Sequence, residues 1–258
     1  MRNRSINLSA VMVLLPPSET KRGGGDGPPL HLDALTCPQL NHVRADLIQE
    51  LVDLAADRDA SRRALGLSAS QDSEIARNAA LRTTPTAPAI HRYTGVLYEA
   101  LDISSLRGAA AARANARLAI GSALFGLLRA TDPVPAYRLS ASSKLPGSAG
   151  LAARWRPQLE PVLAEVAATE LVVDLRSGAY AALGKVPSCV LVDVVAEKAD
   201  GRRVTVSHFN KSHKGRLARA LATTRAEPGD AAAVAATARR AGMRVERHDH
   251  RLTIVVAA

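Results

Sequence analysis

The sequence predicts a single α/β domain with a mixed β-sheet flanked by helices. Short apolar runs typical of buried strands alternate with amphipathic runs typical of helices, and an Asp-Gly pair indicates a hairpin between two of the strands. The elements do not follow a regular βαβ repeat, so we expect a sheet that is not purely parallel. The 258 residues, 47% of them hydrophobic, suffice for one core.

The first predicted element is a buried strand over Val11–Leu15, which a proline pair ends. We interpret Met12 as the natural start, residues 1–11 as an upstream extension that we expect to be disordered, and residues 12–258 as the domain. No convincing signal-peptide cleavage site follows the apolar stretch. No apolar run approaches the roughly 18 residues of a membrane span, so no membrane partner is predicted.

Helices are predicted where apolar residues recur every three to four positions or where alanine is frequent. They cover Gln39–Ala56, Gln71–Leu81, a short segment ending near Leu101, Ala109–Ala119, Pro146–Ala168, Lys214–Ala222 and Asp230–Ala241. Further strands are predicted over Leu171–Leu175, Val190–Val195, Arg203–His208 and Leu252–Val256, with a hairpin turn at Asp200-Gly201. The run Ile120–Leu128 is almost wholly apolar and is expected to be buried, as strand or as helix.

The segment Leu65-Gly66-Leu67-Ser68 lies between predicted helices and has the apolar-Gly-apolar core of a helix-hairpin-helix turn. Such turns hold the DNA backbone through main-chain N–H groups and nearby cations, which here would be Arg62 and Arg63. We therefore expect a helix-hairpin-helix-like element at this position.

The formal net charge of +10 and the pI of about 10.3 favour polyanionic partners, although a high-GC genome also produces arginine-rich proteins. Cys37 and Cys189 are far apart and form no CxxC motif, which fits a reducing cytoplasm and excludes a disulfide framework. The seven histidines lack carboxylates at ligand spacing, so neither a metal nor another cofactor is predicted.

Cationic and hydroxyl side chains in two loops are candidate DNA or phosphate contacts: Thr20, Lys21 and Arg22 after the first strand, and Lys211, Lys214 and Arg216 around a predicted helix start at Gly215. Free N–H groups at such a start favour an anion. Arg129, Arg138 and Arg176 each follow an apolar run. An arginine there binds a phosphate in a fork or pairs with a carboxylate such as Asp132 or Asp174, and the sequence leaves both alternatives open.

Asp174, Ser177 and Tyr180 are the candidate catalytic residues if the protein is an enzyme, with Asp174 as general base. The alternative is a strand-to-helix turn in which Ser177 caps the helix. The GKS/T end of a P-loop is missing, and so is a G-x-S-x-G nucleophile elbow, which excludes those two enzyme classes.

Five ordered segments together resemble the YaaA family of bacterial peroxide-stress proteins. They are Leu14–Lys21, Tyr93–Tyr98, Ile120–Leu139 with its GSALFGLLR and AYRL sequences, Asp174–Tyr180 and Ser207–Arg216. The chain is accordingly identified as a divergent member from a high-GC genome. The resemblance implies a YaaA-type fold with a positively charged groove, a role in peroxide stress and in lowering free iron, and DNA binding through a helix-hairpin-helix-like element.

Three functional interpretations remain, of which one is a pure interaction protein of the stress response and the other two bind a phosphate-containing partner. In the first of these two, a cytoplasmic stress-response protein binds duplex or distorted DNA through a basic groove and limits oxidative damage and free iron. In the second, an enzyme acts on a phosphorylated nucleoside-type or nucleobase-type small molecule in the same basic pocket. Convergence of the candidate loops on one deep pocket would favour the second, and a shallow continuous groove the first.

Overall fold

The computed structural model describes residues 10–147, 149–205 and 207–257, and its core is a mixed sheet. The strands are β1 (Ala10–Leu15), β2 (Gly27–Pro29), β3 (Pro85–Pro88), β4 (Leu118–Ser122), β5 (Gly126–Arg129), β6 (Pro133–Val134), β7 (Glu170–Asp174), β8 (Val190–Glu197), β9 (Arg203–Thr205), β10 (Val245–His248) and β11 (Arg251–Ala257). The helices are α1 (Asn41–Leu54), α2 (Arg58–Leu65), α3 (Asp72–Ala79), α4 (Ala89–Arg92), α5 (Val96–Leu101), α6 (Gly108–Arg117), α7 (Leu151–Thr169), α8 (Gly178–Ala181), α9 (Ser207–Thr223) and α10 (Ala231–Arg240).

The main sheet has the strand order β10-β11-β8-β7-β1-β4-β5, with β9 paired to β8. Strands β11, β8, β7, β1 and β4 run parallel, whereas β5, β9 and β10 are antiparallel to their neighbours. The predicted mixed α/β architecture is therefore confirmed. A second, small sheet joins β2, β3 and β6.

Helices cover the sheet as predicted. Helix α9 packs against β1 and β8 and against α5, α6 and α10, while α7 packs against β5 and β7. The central strands are almost fully buried because helices cover them, which explains why Val11–Leu15 and Leu171–Leu175 read as continuous apolar runs. Among the helices of the described ranges, none combines the length and the hydropathy needed to cross a membrane.

Strand β1 begins at Ala10, so the strand includes two residues that the sequence assigned to the extension. The rest of the predicted disordered extension, residues 1–9, lies outside the described residues.

The apolar run Ile120–Leu128 is a hairpin rather than one continuous element, since β4 pairs with β5 around a tight connection. Gly126 begins β5 with a φ of 70°, and a Cβ there would lie 2.7 Å from the Trp155 ring of α7. Glycine thus permits both the backbone conformation and the close approach of α7.

The strand predicted over Arg203–His208 is wrong at Ser207 and His208, whereas Val206 lies outside the described residues. Strand β9 ends at Thr205, and α9 begins at Ser207, seven residues before the helix start that the sequence predicted. The alternation of Val204 and Val206 with polar neighbours does not extend further along the sequence, so nothing favours a strand beyond it. The predicted hairpin at Asp200-Gly201 is confirmed by the antiparallel pairing of β8 with β9.

The segment around Gly66 forms a helical hairpin, as expected. Gly66 ends α2 with a φ of 64°, and a capping box between Ser68 and Gln71 starts the turn that leads into α3. The main-chain N–H groups of Gly66 and Leu67 donate to the carbonyl oxygen of Arg62, and that of Ser68 donates to Gln71. These N–H groups are therefore committed to the hairpin itself.

A buried arginine ties α1 to the β4–β5 hairpin. Arg44 is fully buried, and burial lowers its pKa to about 10. Its guanidinium donates hydrogen bonds to the carbonyl oxygens of Thr36, Cys37, Phe125 and Leu127 and to the side-chain oxygen of Asn41.

Replacing Arg44 by methionine is expected to lower the free energy of unfolding by roughly 3 kcal/mol or more, because several buried carbonyl groups lose their donor. Urea denaturation followed by circular dichroism measures the change. The exposed Arg63→Met is the matched control and is expected to stay within about 0.5 kcal/mol of wild type. An equal loss in both variants would contradict the role given to Arg44.

Candidate functional site

The carboxyl ends of β1, β4 and β7 meet at one edge of the sheet because these three strands are parallel neighbours. The loop from Pro16 to Arg22 follows β1, Ser122 ends β4, and Leu175 and Arg176 follow β7. Ligands of open α/β sheets bind outside the carboxyl ends of the strands, so this edge is the first place to look for a site.

Lys21 lies buried at this edge. Its Nζ donates hydrogen bonds to the carbonyl oxygens of Ser18, at 3.0 Å, and Glu19, at 3.2 Å. The same Nζ lies 4.2 Å from the ring centroid of Tyr137 and 5.5 Å from that of Tyr93, so the ammonium also contacts aromatic faces. Burial, with a smaller effect from the Arg138 charge, lowers the Lys21 pKa to about 7.

A cluster of buried hydroxyl groups forms one wall beside Lys21. The Tyr137 hydroxyl lies 2.8 Å from that of Tyr93 and 2.7 Å from Ser122 Oγ. Ser122 Oγ accepts hydrogen bonds from the main-chain N–H groups of Leu124 and Phe125, which fixes it at the end of β4. Burial raises the pKa of both tyrosines, so this wall is polar and neutral.

Arg138 approaches the site from the segment after β6. The residue is 8% exposed, and its guanidinium pairs with Glu19 at 2.5 Å. Its main-chain N–H donates to Asn78 Oδ1 at 2.8 Å, and Asn78 Nδ2 donates to its carbonyl oxygen at 2.9 Å, so α3 holds this backbone in place. The Nε atom of Arg138 is buried and has no hydrogen-bond partner among the residues that the structure describes.

Arg176 is held entirely within the protein. Its guanidinium pairs with Asp174 at 2.8 Å, and it also donates to the carbonyl oxygens of Tyr180 and Gly184. Its stem lies against Gly121 of β4, where a Cβ would come within 2.7 Å of it. Of the two alternatives left open for Arg176, the structure contains the pairing with Asp174.

Lys214 also reaches this edge, from α9. Its buried Nζ donates to the carbonyl oxygen of Leu175 at 3.0 Å, and burial lowers its pKa. The predicted helix start near Gly215 is wrong, because that residue lies inside α9. A Cβ on Gly215 would lie 2.2 Å from the Leu97 carbonyl oxygen, so glycine here permits the packing of α9 on α5.

The remaining candidate residues lie apart from this cluster or at its rim. Arg129 ends the antiparallel strand β5 and pairs with Glu170, which begins β7, so it lies at the opposite edge of the sheet. Thr20 is exposed, and its Oγ1 accepts a hydrogen bond from the Thr94 hydroxyl. The exposed cations are Arg22 on its loop and Lys211 and Arg216 on α9.

The three candidate catalytic residues differ in availability. The Asp174 carboxylate accepts three hydrogen bonds from the Arg176 side chain and one from its main chain, so it is engaged as a structural acceptor. Ser177 is exposed and occupies the N-cap position of α8 after the turn from β7, as the structural alternative predicted, but its side chain makes no capping hydrogen bond. Burial raises the pKa of half-buried Tyr180 to about 12.

Several residues of this cluster were not predicted as site residues. They are Tyr93, Tyr137, Ser122, Asn78 and Glu74, and the first three lie in the segments that carry the family resemblance. Glu74 lies on α3, and its charge raises the Lys21 pKa against the larger effect of burial.

Two cavities open elsewhere on the surface. One of about 600 Å³ lies between α2, α3 and the residues that follow α1, and Arg58, Arg62 and Asp72 line it. The other, of about 560 Å³, lies between the Gly23–Gly27 loop and His91. Within the described residues, no group of three or more histidine, cysteine or acidic side chains could hold a metal ion.

The comparisons with known proteins decide the family. A family model described as peroxide stress protein YaaA matches residues 11–246. The chain belongs to this family. The prediction from five sequence segments is thereby confirmed.

Relatives of this YaaA family member align along most of their length. A UPF0246 protein of Corynebacterium efficiens is 49% identical over 253 residues, 95% of this chain and 100% of the relative. A UPF0246 protein of Streptomyces coelicolor is 44% identical over 243 residues, 92% of each chain. An uncharacterized protein of Campylobacter jejuni is 26% identical over 171 residues, 66% of this chain and 69% of the relative.

The lowered pKa of Lys21 gives the YaaA family member a specific pH dependence. In the unfolded chain the pKa is near 10.5 and in the folded protein about 7, so between these values the unfolded chain binds more protons. The free energy of unfolding therefore rises with pH across this window, by as much as about 1.4 kcal/mol per pH unit for this one group. Lys21→Met is expected to remove that rise.

Urea denaturation at pH 7, 8 and 9 measures the difference in unfolding free energy between wild type and Lys21→Met. The exposed Lys185→Met is the control, for which the difference should not change with pH. A difference that is equally flat for Lys21→Met would show that its ammonium is not desolvated.

Proposed function

We propose that this peroxide-stress family member binds a small anion, through a phosphate or carboxylate group, at the strand edge around Lys21 and Arg138. The single observation that carries the proposal is the buried Arg138 Nε without a hydrogen-bond partner beside a buried lysine. Buried cations are normally paired, since desolvation of an unpaired charge is costly. Among the described residues Lys21 donates to main-chain carbonyl oxygens and forms no ion pair, so no carboxylate directly balances its charge.

Glu19 is the internal competitor for this anion. Its carboxylate pairs with Arg138, yet the Glu19 side chain is 59% exposed, whereas that of Arg138 is 10% exposed. The Glu19 carboxylate keeps most of its contact with water, so it loses little when an incoming anion takes its place on the buried guanidinium. The loop that carries Glu19 also carries Thr20 and Lys21, and its main chain pairs with Arg92 and Thr94.

The candidate catalytic residues Asp174, Ser177 and Tyr180 remain a prediction within this proposal. Of the three, Tyr180 is electrostatically linked to the site, because the charges of Glu19 and Arg138 both act on the pKa of its hydroxyl group. Cys37 and Cys189 do not suit direct chemistry with peroxide, since burial raises the pKa of both thiols and the thiolate is the reactive form. The role in limiting oxidative damage and free iron follows from the family resemblance.

The first experiment measures binding of sulfate by isothermal titration calorimetry at pH 6.5. Arg138→Met is expected to weaken binding by about tenfold or more, because a buried charge-assisted hydrogen bond is lost. Glu19→Gln is expected to tighten binding several-fold, about threefold, because the competing charge is removed. Glu99→Gln, an exposed carboxylate on α5, is the matched control. Tighter sulfate binding by Glu99→Gln as well would show that the effect of Glu19→Gln comes from the change in net charge.

DNA is the second candidate partner, and exposed cations on two helices favour it. The exposed Arg63 flanks the α2–α3 hairpin, while Lys211 and Arg216 are exposed on α9. The hairpin N–H groups are committed internally, so the DNA contacts would come from side-chain cations rather than from the main chain. Such contacts bind the backbone and carry little sequence information.

Gel shifts of a short DNA duplex at increasing salt test this candidate. A log–log slope of binding against salt of several units is expected, and Arg63→Ala should reduce it by about one unit per lost phosphate contact. Lys185→Ala, an exposed lysine on another surface, is the control. No retention at low salt would exclude DNA while leaving the small-anion proposal intact.

A further inference from the structure

We infer that the anion bound beside Lys21 carries a hydrogen-bond donor next to its charged group, and that Glu74 of α3 accepts this donor. The ligand class is therefore an aminated or amide-bearing anion, as in a phosphorylated nucleobase derivative, rather than a bare phosphate. This inference rests on the proposed function and names the chemistry that the same site selects.

Glu74 has an oxygen without a donor. Its side chain is 16% exposed, and one carboxylate oxygen accepts a hydrogen bond from Arg77 at 2.5 Å. The other oxygen, Oε2, is buried and has no hydrogen-bond partner within the described part of the chain. A buried carboxylate oxygen left without a donor is unfavourable, so its retention requires an explanation.

Helix α3 places this acceptor at the Lys21 site. Glu74 and Asn78 are four residues apart and therefore lie on the same face of the helix. Asn78 makes two hydrogen bonds to the main chain of Arg138, whose Nε is the donor without an acceptor. The charges of Glu74 and Arg138 both act on the pKa of Lys21, which agrees with this placement of α3 beside the strand edge.

Arg138 Nε is a donor that lacks an acceptor, and Glu74 Oε2 is an acceptor that lacks a donor. A ligand that matches both atoms carries one acceptor and one donor. A bare anion satisfies Arg138 but meets the negative charge of Glu74, and like charges disfavour each other in a desolvated site. A ligand with an N–H beside its anionic group satisfies both atoms. Sites that hydrogen-bond a ligand group reject analogues lacking it, because the buried protein atom then stays unpaired.

Methanesulfonate and sulfamate form a matched pair of probes. Both are small monoanions with a sulfonate group, and they differ in a methyl group against an amino group. Wild type is expected to bind sulfamate about tenfold more tightly than methanesulfonate. A buried polar group can discriminate between ligands by a larger factor than this. Binding is followed by isothermal titration calorimetry, with displacement by sulfate as a second readout.

Substitutions of Glu74 are expected to change the affinities for sulfamate and for methanesulfonate in different directions. Glu74→Met is expected to weaken sulfamate binding about tenfold and to leave methanesulfonate binding equal or tighter, so that the preference disappears. Glu74→Gln keeps the shape and removes the charge, and it should tighten methanesulfonate binding about threefold. Glu99→Gln is the control and should change neither, and circular dichroism confirms that each variant is folded.

The outcomes separate this inference from the proposed function. Equal binding of both probes, dependent on Arg138 and indifferent to Glu74, overturns the donor requirement and leaves the anion site standing. Absence of Arg138-dependent binding for sulfate and for both probes overturns the anion site and the inference together. A sulfamate preference that survives Glu74→Met assigns the donor to another acceptor and overturns the role of Glu74.

Discussion

The buried ammonium of Lys21 is the constraint on which the carboxyl edge of the sheet depends. Taking this charge out of water has a free-energy cost, and the surrounding residues are arranged to reduce it. The loop after β1 turns its carbonyl oxygens toward Nζ, and two tyrosine faces lie beside it. Burial still outweighs these contacts, since the Lys21 pKa is lowered. The edge is therefore poised to gain from a further negative group.

Two arginine–carboxylate pairs at this edge have different physical characters. Arg176 and Asp174 are both nearly inaccessible, with side chains 2% and 4% exposed, and removing either partner would leave a buried charge. Arg138 is almost as buried, but its partner Glu19 is mostly exposed. The first pair fixes the turn after β7, whereas the second has one partner that exchanges readily with solvent. The Arg176–Asp174 pair thus stabilises the fold, whereas the Arg138–Glu19 pair is a contact in which the carboxylate can be replaced.

Local sequence patterns predicted most helices and strands. The site residues were predicted less completely, because they meet through contacts between residues that are distant along the chain. The strand over Val11–Leu15 and the loop with Lys21 follow from an apolar run ended by prolines. The partners Tyr137 and Glu74 could not be found this way, since 116 and 53 residues separate them from Lys21 along the chain. The helix start at Ser207 was missed because valine alternation continues to Val206, so the sequence resembles a strand up to that point.

Helix α3 belongs both to the hairpin and to the proposed anion site, so the two functional interpretations share an element. Asn78 of α3 holds the main chain of Arg138, and the charge of Glu74 acts on the Lys21 pKa, while the Arg62–Asp72 ion pair joins α2 to the start of α3. A substitution that unfolds α3 would therefore affect the proposed anion site and any nucleic-acid contact of the hairpin together. Arg63 avoids this ambiguity because it lies exposed on α2 and contacts neither orphan atom. Only residues placed in this way distinguish a basic surface that binds DNA from a desolvated site that binds a small anion.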